Sequence, residues 1–228
     1  MKKITAYITE RLKINKDTDR YIYHPDNMAD LRSVIVKLLE ERGPDANLND
    51  IDVSGVDNMY MLFENLDIHN IDISGWDVSN VTNMDRMFRG CRDFNSDLSN
   101  WDVSKCLDMS NMFRGCLKFS SDLSQWDVSK VISMYCMFTG CIKFKSDLSK
   151  WDVSHVNSMQ NMFDECYEFE SDLSKWNTRY VKDMCYMFRN CPKFNSDLSN
   201  WNISSVKHMD GMFAYCDSLK KIPDWYKK

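Results

Sequence analysis

Glycine and proline are scarce, at 7 and 4 in 228 residues. That excludes collagen-like and low-complexity chains, which need far more of both. Long apolar runs are missing too. None approaches the ~18 residues of a membrane-spanning helix, so membrane insertion is not expected. There is no basic excess: 29 Lys and Arg stand against 34 Asp and Glu, for a net charge of −5. A nucleic-acid partner would need a basic patch, so none is expected. The opening "MKKITAYITERLKINKD" has two lysines but no continuous apolar stretch and no small-residue cleavage site. No signal peptide is expected, and the location follows as cytoplasmic or virion-associated. The cysteine count is odd, at nine, and without a secretion signal a disulfide framework is not expected.

What is there is 16 Met, 9 Cys and 7 Trp, and one cause covers all three. Trp76, Trp101, Trp126, Trp151, Trp176 and Trp201 stand 25 apart, with Trp225 following after 24. Phe63, Phe88, Phe113, Phe138, Phe163, Phe188 and Phe213 keep the same step, as do Cys91, Cys116, Cys141, Cys166, Cys191 and Cys216. Twelve of the methionines fall in six "MxxMF" copies. A period between 20 and 50 residues signals stacked repeats, each too small to bury its own apolar face.

Each unit reads as a strand followed by a short helix. Leu98, Trp101, Val103 and Cys106 match the L-x-x-L-x-L-x-x-N/C frame of a leucine-rich repeat. By a period of two, Trp101 and Val103 point inward while Asn100, Asp102 and Ser104 point outward. Asn83, Asp108, Ser133, Ser158 and Asp183 are of helix N-cap type. Met84, Met87, Phe88 and Cys91 then share one face of a 3.6-residue period, and Gly90, Gly115, Gly140 and Asn190 read as left-handed stops. The fold class expected is α/β: a leucine-rich-repeat-like solenoid of about seven 25-residue strand–short-helix rungs with an N-terminal α/β cap.

Three segments follow. Residues 1–44 read as the N-terminal cap, with a hairpin from "ITAYITERLKI" and "RYIY". A helix comes next, capped by Asp26 or Asn27, bearing Leu31, Val34, Ile35, Leu38 and Leu39 on one face and stopped at Gly43 and Pro44. Residues 45–222 are the repeat array, and 223–228 a C-terminal tail.

The motif "F-x-S-D-L-S-x-W-D-V-S-x-V-x-x-M-x-x-M-F-x-x-C", over roughly residues 44 to 222, resembles the 25-residue repeats of BspA-like leucine-rich repeat surface proteins. The lipoprotein-associated repeats of mycoplasmas look similar. The resemblance implies a non-enzymatic role in adhesion or protein binding, and adds the cell surface as a location.

Candidate binding residues lie on two faces. Asp52, Asp77, Asp102, Asp127 and Asp152 repeat on the outward strand face. At a ~5 Å step, like charges repel by about 1 kcal/mol per pair in water. Two readings compete. The serine two residues on and Lys105, Lys130, Lys150 and Lys175 could satisfy the carboxylates locally. Or Asp77, Asp102, Asp127 and Asp152 form an acidic concave stripe for a basic partner. The stripe breaks at "WNTRY", where Asn177, Thr178, Arg179 and Tyr180 change together; drift is one reading and a local binding site built on Asn177, Arg179 and Tyr180 the other. The alternative surface is a convex helix face with Arg86, Arg89, Arg114, Tyr135, Tyr186 and Arg189. A second ladder, Asp72, Asp97, Asp122, Asp147, Asp172 and Asp197, reads as turn-closing Asx residues.

No metal or other cofactor is expected: the Met and Cys share an apolar face with Phe, and the Cys are not paired as C-x₂₋₄-C. Every Asp, Ser and Cys that could do chemistry recurs five or six times, whereas a catalytic site is singular, so the chain is not expected to be an enzyme. The function expected is a non-enzymatic protein-binding scaffold, monomeric or weakly self-associating, with the partner on the concave strand face or the convex helix face. The alternative is a structural component of a virion or cell-surface assembly.

Overall fold

A computed structural model of the chain describes residues 21–226. The helix expected near the start forms as α1, Met28–Arg42. Asn27 is its N-cap, with the side-chain oxygen accepting from the N–H groups of Ala29 and Asp30. Gly43, at φ 84°, ends it and donates its N–H to Leu39. Leu31, Val34, Ile35 and Leu38 are buried against the array. Most of the expected hairpin lies outside the described residues.

Beyond α1 the expected α/β architecture is not what forms. Among the described residues the chain pairs only through isolated parallel bridges, and the only other helical element is a single 3-10 turn, Asp224–Tyr226. The strand–helix rungs of a leucine-rich-repeat solenoid are absent. In their place each 25-residue unit is a succession of tight turns. From Leu98 onward, Trp101 donates its N–H to Leu98, Cys106 to Val103, Met112 to Met109, Arg114 to Asn111, Cys116 to Phe113 and Phe119 to Cys116. All are bonds to the third residue back, the mark of β-turns.

The "MxxMF" segment shows why no helix forms. Arg86 and Gly90 sit at φ 57° and 77°, and each is the third residue of a turn, the position type II turns hold left-handed. Equivalent positive φ values recur at Asn111, Cys136, Asn161 and Tyr186, and at Gly115, Gly140, Glu165 and Asn190. Donors alternate along the segment. Met87, Arg89 and Cys91 bond within their own unit, while Met84, Arg86, Phe88 and Gly90 give their N–H groups to Asp108, Ser110, Met112 and Arg114 of the next unit, at 2.8–2.9 Å. A two-turn helix would carry a costly nucleus and unpaired ends. Alternating turns give every one of these N–H groups a carbonyl, because an identical neighbour lies alongside.

The apolar pattern read from sequence survives this change of conformation. Met84, Met87, Phe88 and Cys91 are fully buried, as are Trp101 and Val103 to within a few per cent, while Asp102 is exposed. Aromatic rings stack from unit to unit. Successive members of the main Phe column lie 5.2–5.9 Å apart from Phe63 to Phe213. A second column runs through Phe94, Phe119, Phe144, Phe169 and Phe194 at 5.8–6.0 Å.

Side-chain donors thread the same stack. The indole N–H of Trp76, Trp101, Trp126, Trp151, Trp176, Trp201 and Trp225 each donates to a backbone carbonyl of the unit before, at 2.9–3.2 Å. The thiols of Cys91, Cys116, Cys141, Cys166, Cys191 and Cys216 do the same to the Phe carbonyl one unit back, at 2.8–3.1 Å. These residues are therefore donors as well as core. All nine cysteines are free thiols, and Cys136 is buried.

Ahead of the first unit, Tyr23 bridges to Ile51 and α1 lies against the segment that the next unit pairs with from the other side. Arg32 donates to the carbonyls of Met61, Leu62 and Glu64. Those of Leu62 and Glu64 are the ones that, in later units, accept from the preceding unit.

Candidate functional site

The Asp ladder forms a regular exposed line. Asp77, Asp102, Asp127 and Asp152 each accept the N–H of the serine two residues on, at 2.9–3.0 Å. Asn177 accepts from Arg179 at 3.3 Å and Asn202 from Ser204 at 3.0 Å, so amides hold the same turn. The carboxyls of Asp102 and Asp127 lie below the usual carboxylate range, chiefly because a serine hydroxyl bonds each, then its N–H. At these two residues the repulsion expected along the line is thus offset inside the turn. The lysines add charge nearby, yet Lys105 bonds Asn80 of the previous unit at 2.8 Å rather than an aspartate.

The second ladder is tied more deeply. Asp97, Asp122, Asp147, Asp172 and Asp197 accept from the serine N–H two residues on. The buried Ser146, Ser171 and Ser196 donate back to Asp122, Asp147 and Asp172 and accept the N–H of Leu123, Leu148 and Leu173. This serine links adjacent units and went unremarked in the sequence. Beside it opens a shallow groove of about 770 Å³ that includes Lys145, Asp147, Glu170 and Asp172.

The break at "WNTRY" resolves into two parts. Thr178 is fully buried, with its hydroxyl donating to the Asn202 carbonyl at 3.0 Å; it replaces the inward valine and is not a surface position. Arg179 and Tyr180 stand outside, the guanidinium 5.5 Å from the ring centre, with Tyr180 52% exposed. Nowhere else in this line does an exposed aromatic stand beside a cation.

The concave strand face and convex helix face do not exist as such, since neither strand nor helix forms in the units. The residues assigned to the convex face lie on the turn segments, and several are already engaged. Arg89 pairs with Glu64 at 2.9 Å, and Arg86 donates to the Tyr60 hydroxyl at 2.9 Å. Arg189 makes two bonds, 2.7 and 2.5 Å, to Asp164, which is 1% exposed, and its guanidinium lies 5.0 Å from the Tyr186 ring centre. Arg189 and Arg89 each join units 25 residues apart. Arg114 is exposed and Tyr135 half-buried. Among the described residues no group of three His, Cys, Asp or Glu side chains converges to hold a metal. No helix among them is long and apolar enough to cross a membrane.

Stacked 25-residue units joined through turn carbonyls, with an exposed ladder on their flank, define a repeat protein. The chain belongs to the family described as Mycoplasma protein of unknown function, DUF285, whose pattern matches residues 37–147 and again 118–226. The comparison with curated proteins gave no match.

Proposed function

We propose that the chain is a non-enzymatic protein-binding scaffold, with the partner lying along the Asp ladder and anchored at Arg179 and Tyr180. The observation that carries this is the exposed Arg179–Tyr180 pair, standing where the other units have Ser79–Asn80, Ser104–Lys105, Ser129–Lys130, Ser154–His155 and Ser204–Ser205. Tyr and Arg bring large contact area and directed hydrogen bonds, which is why they dominate binding hot spots. The aspartates beside them favour a partner with basic residues along its contact line. The BspA-like resemblance supports the same reading and extends it to adhesion. The absence of catalysis is part of the proposal: the recurrent Asp, Ser and Cys are spent on turns and inter-unit bonds.

The test is affinity capture from the native source with the intact chain, beside a variant carrying Arg179→Ser and Tyr180→Lys. A partner captured by the natural chain and lost at least about tenfold in the variant supports the anchor. Equal capture by both chains overturns it, and circular dichroism of the variant confirms that the fold is unchanged.

A further inference from the structure

The row of backbone donors that joins each unit to the next runs out at the last one. Met184, Tyr186, Phe188 and Asn190 give their N–H groups to His208, Asp210, Met212 and Ala214 at 2.8–2.9 Å. One unit on, the equivalent donors are Met209, Gly211, Phe213 and Tyr215. Among the described residues their N–H groups have no acceptor. The row keeps its interior geometry, with Gly211 and Tyr215 at φ 61° and 59°. The side chains around it are uncovered as well. Val206, Met209 and Cys216 are only partly buried, where Val181, Met184 and Cys191 are fully so. The 3-10 turn covers part of this end: Trp225 and Tyr226 lie tilted or edge-on beside Phe213, so neither continues its stack.

The chemistry of this edge selects its occupant. It offers donors in a row at alternate residues, so it needs carbonyls at alternate residues. A second copy stacked head to tail would have to offer its first unit, but α1 lies there and Arg32 already holds the carbonyls of Leu62 and Glu64. A second copy stacked tail to tail would set N–H against N–H. We propose that the Met209–Tyr215 edge docks a segment of a partner protein that takes up the same alternating turns, through alternate N–H···O=C bonds, with a Met-x-x-Met-Phe-like side-chain pattern continuing the apolar ladders. Edge pairing of this kind draws affinity from the main chain and selectivity from the side chains seated beside it. The array supplies the template. The carbonyls of Asn83, Asp85, Met87 and Arg89 accept from Met59, Met61, Phe63 and Asn65, while Phe88 stacks on Phe63 at 5.2 Å.

This edge is separate from the Asp ladder, and its test leaves Arg179 and Tyr180 untouched, so either reading can fail alone. The probe is a synthetic peptide of residues 80–90, NVTNMDRMFRG, titrated into the intact chain with amide hydrogen exchange read residue by residue. In the free chain the amides of Met209, Gly211, Phe213 and Tyr215 should exchange quickly while those of Met184, Tyr186, Phe188 and Asn190 are protected. Saturating peptide should slow the first four by about tenfold or more, and a scrambled peptide should not. Four things would overturn the proposal: protection of these amides in the free chain, no slowing with peptide, equal slowing by the scrambled peptide, or protection that grows with chain concentration alone.

Discussion

Consider Trp151→Phe. Trp151 is 4% exposed, and its indole N–H donates to the Leu123 carbonyl at 3.0 Å. That carbonyl also accepts the Trp126 N–H at 3.1 Å, so the substitution leaves it with one partner rather than none. The cost of the lost bond is then close to the net worth of an ordinary one, about 1 kcal/mol, and not the larger penalty of a stranded buried acceptor. Removing all of a buried Trp beyond Cβ costs ~3–5 kcal/mol, and a phenyl ring restores most of that volume, leaving about 1–1.5 kcal/mol. The sum is about 2–2.5 kcal/mol. Trp225→Phe, at a partly buried site, should cost about 1 kcal/mol, since water can replace the lost donor. Urea unfolding followed by circular dichroism measures both. In a stacked array the loss should centre on the two units that meet there, which hydrogen exchange resolves. A cost below about 0.5 kcal/mol for Trp151→Phe, or an equal cost at both sites, would refute the account of the indole as a link between units.

Acid should weaken the fold through the aspartate turns. Asp72, Asp102, Asp122, Asp127, Asp147 and Asp172 are held below 3.8 by the hydroxyl or N–H of the serine two residues on. Lowered folded values mean stability that is full above the unfolded value and lost as pH falls through the folded ones. Urea midpoints should therefore hold from neutral pH downward and drop below about pH 4, with Asp85, raised by burial, working in the opposite sense. Asn at Asp102 and Asp127, keeping the turn as Asn177 does, should flatten the drop. Arg189→Ala should cost about 2–3 kcal/mol by leaving the buried Asp164 with Asn161 alone, and Arg189→Lys should recover only part of it; urea midpoints test both. A thiol reagent with mass-spectrometric readout should label the partly exposed Cys185 first and leave Cys116, Cys141 and Cys166 until unfolding, because burial pushes those thiols well above their usual range.

The period, the buried columns, the cap helix and the Asx turns were all legible in the sequence, because each depends on which residues face inward or on chemistry local to a turn. The conformation of the "MxxMF" segment was not. Apolar residues at Met84, Met87, Phe88 and Cys91 fit a helix face, and they fit a chain of tight turns equally well. Periodicity reports where side chains point and is silent on which carbonyl takes each N–H. A signal was nonetheless present. One column holds Asn65, Gly90, Gly115, Gly140 and Asn190, and another four residues earlier holds Asn111, Asn161 and Gly211. Residues that tolerate left-handed backbone, recurring inside one supposed helix, argue against it. The Trp column held a second signal: an acceptor waits at a fixed place in every unit, which neither Leu nor Phe could use. The candidate binding residues were harder still. Arg89 and Arg189 looked free for a partner because their acids, Glu64 and Asp164, lie a whole unit away in the chain. Only the stacking register brings them together.

The inter-unit bonds carry a further consequence for length. Each joins a residue to one about a full period away, the ladder bridges being 25 residues apart. Losing or gaining one residue would misplace the partners that bridge the altered unit and its neighbours, whereas losing or gaining a whole unit would leave every remaining partner in place. The reach of such an array is therefore quantised. It can grow or shrink in steps of roughly 5 Å, the spacing of hydrogen-bonded chains, with no change to the core that holds it.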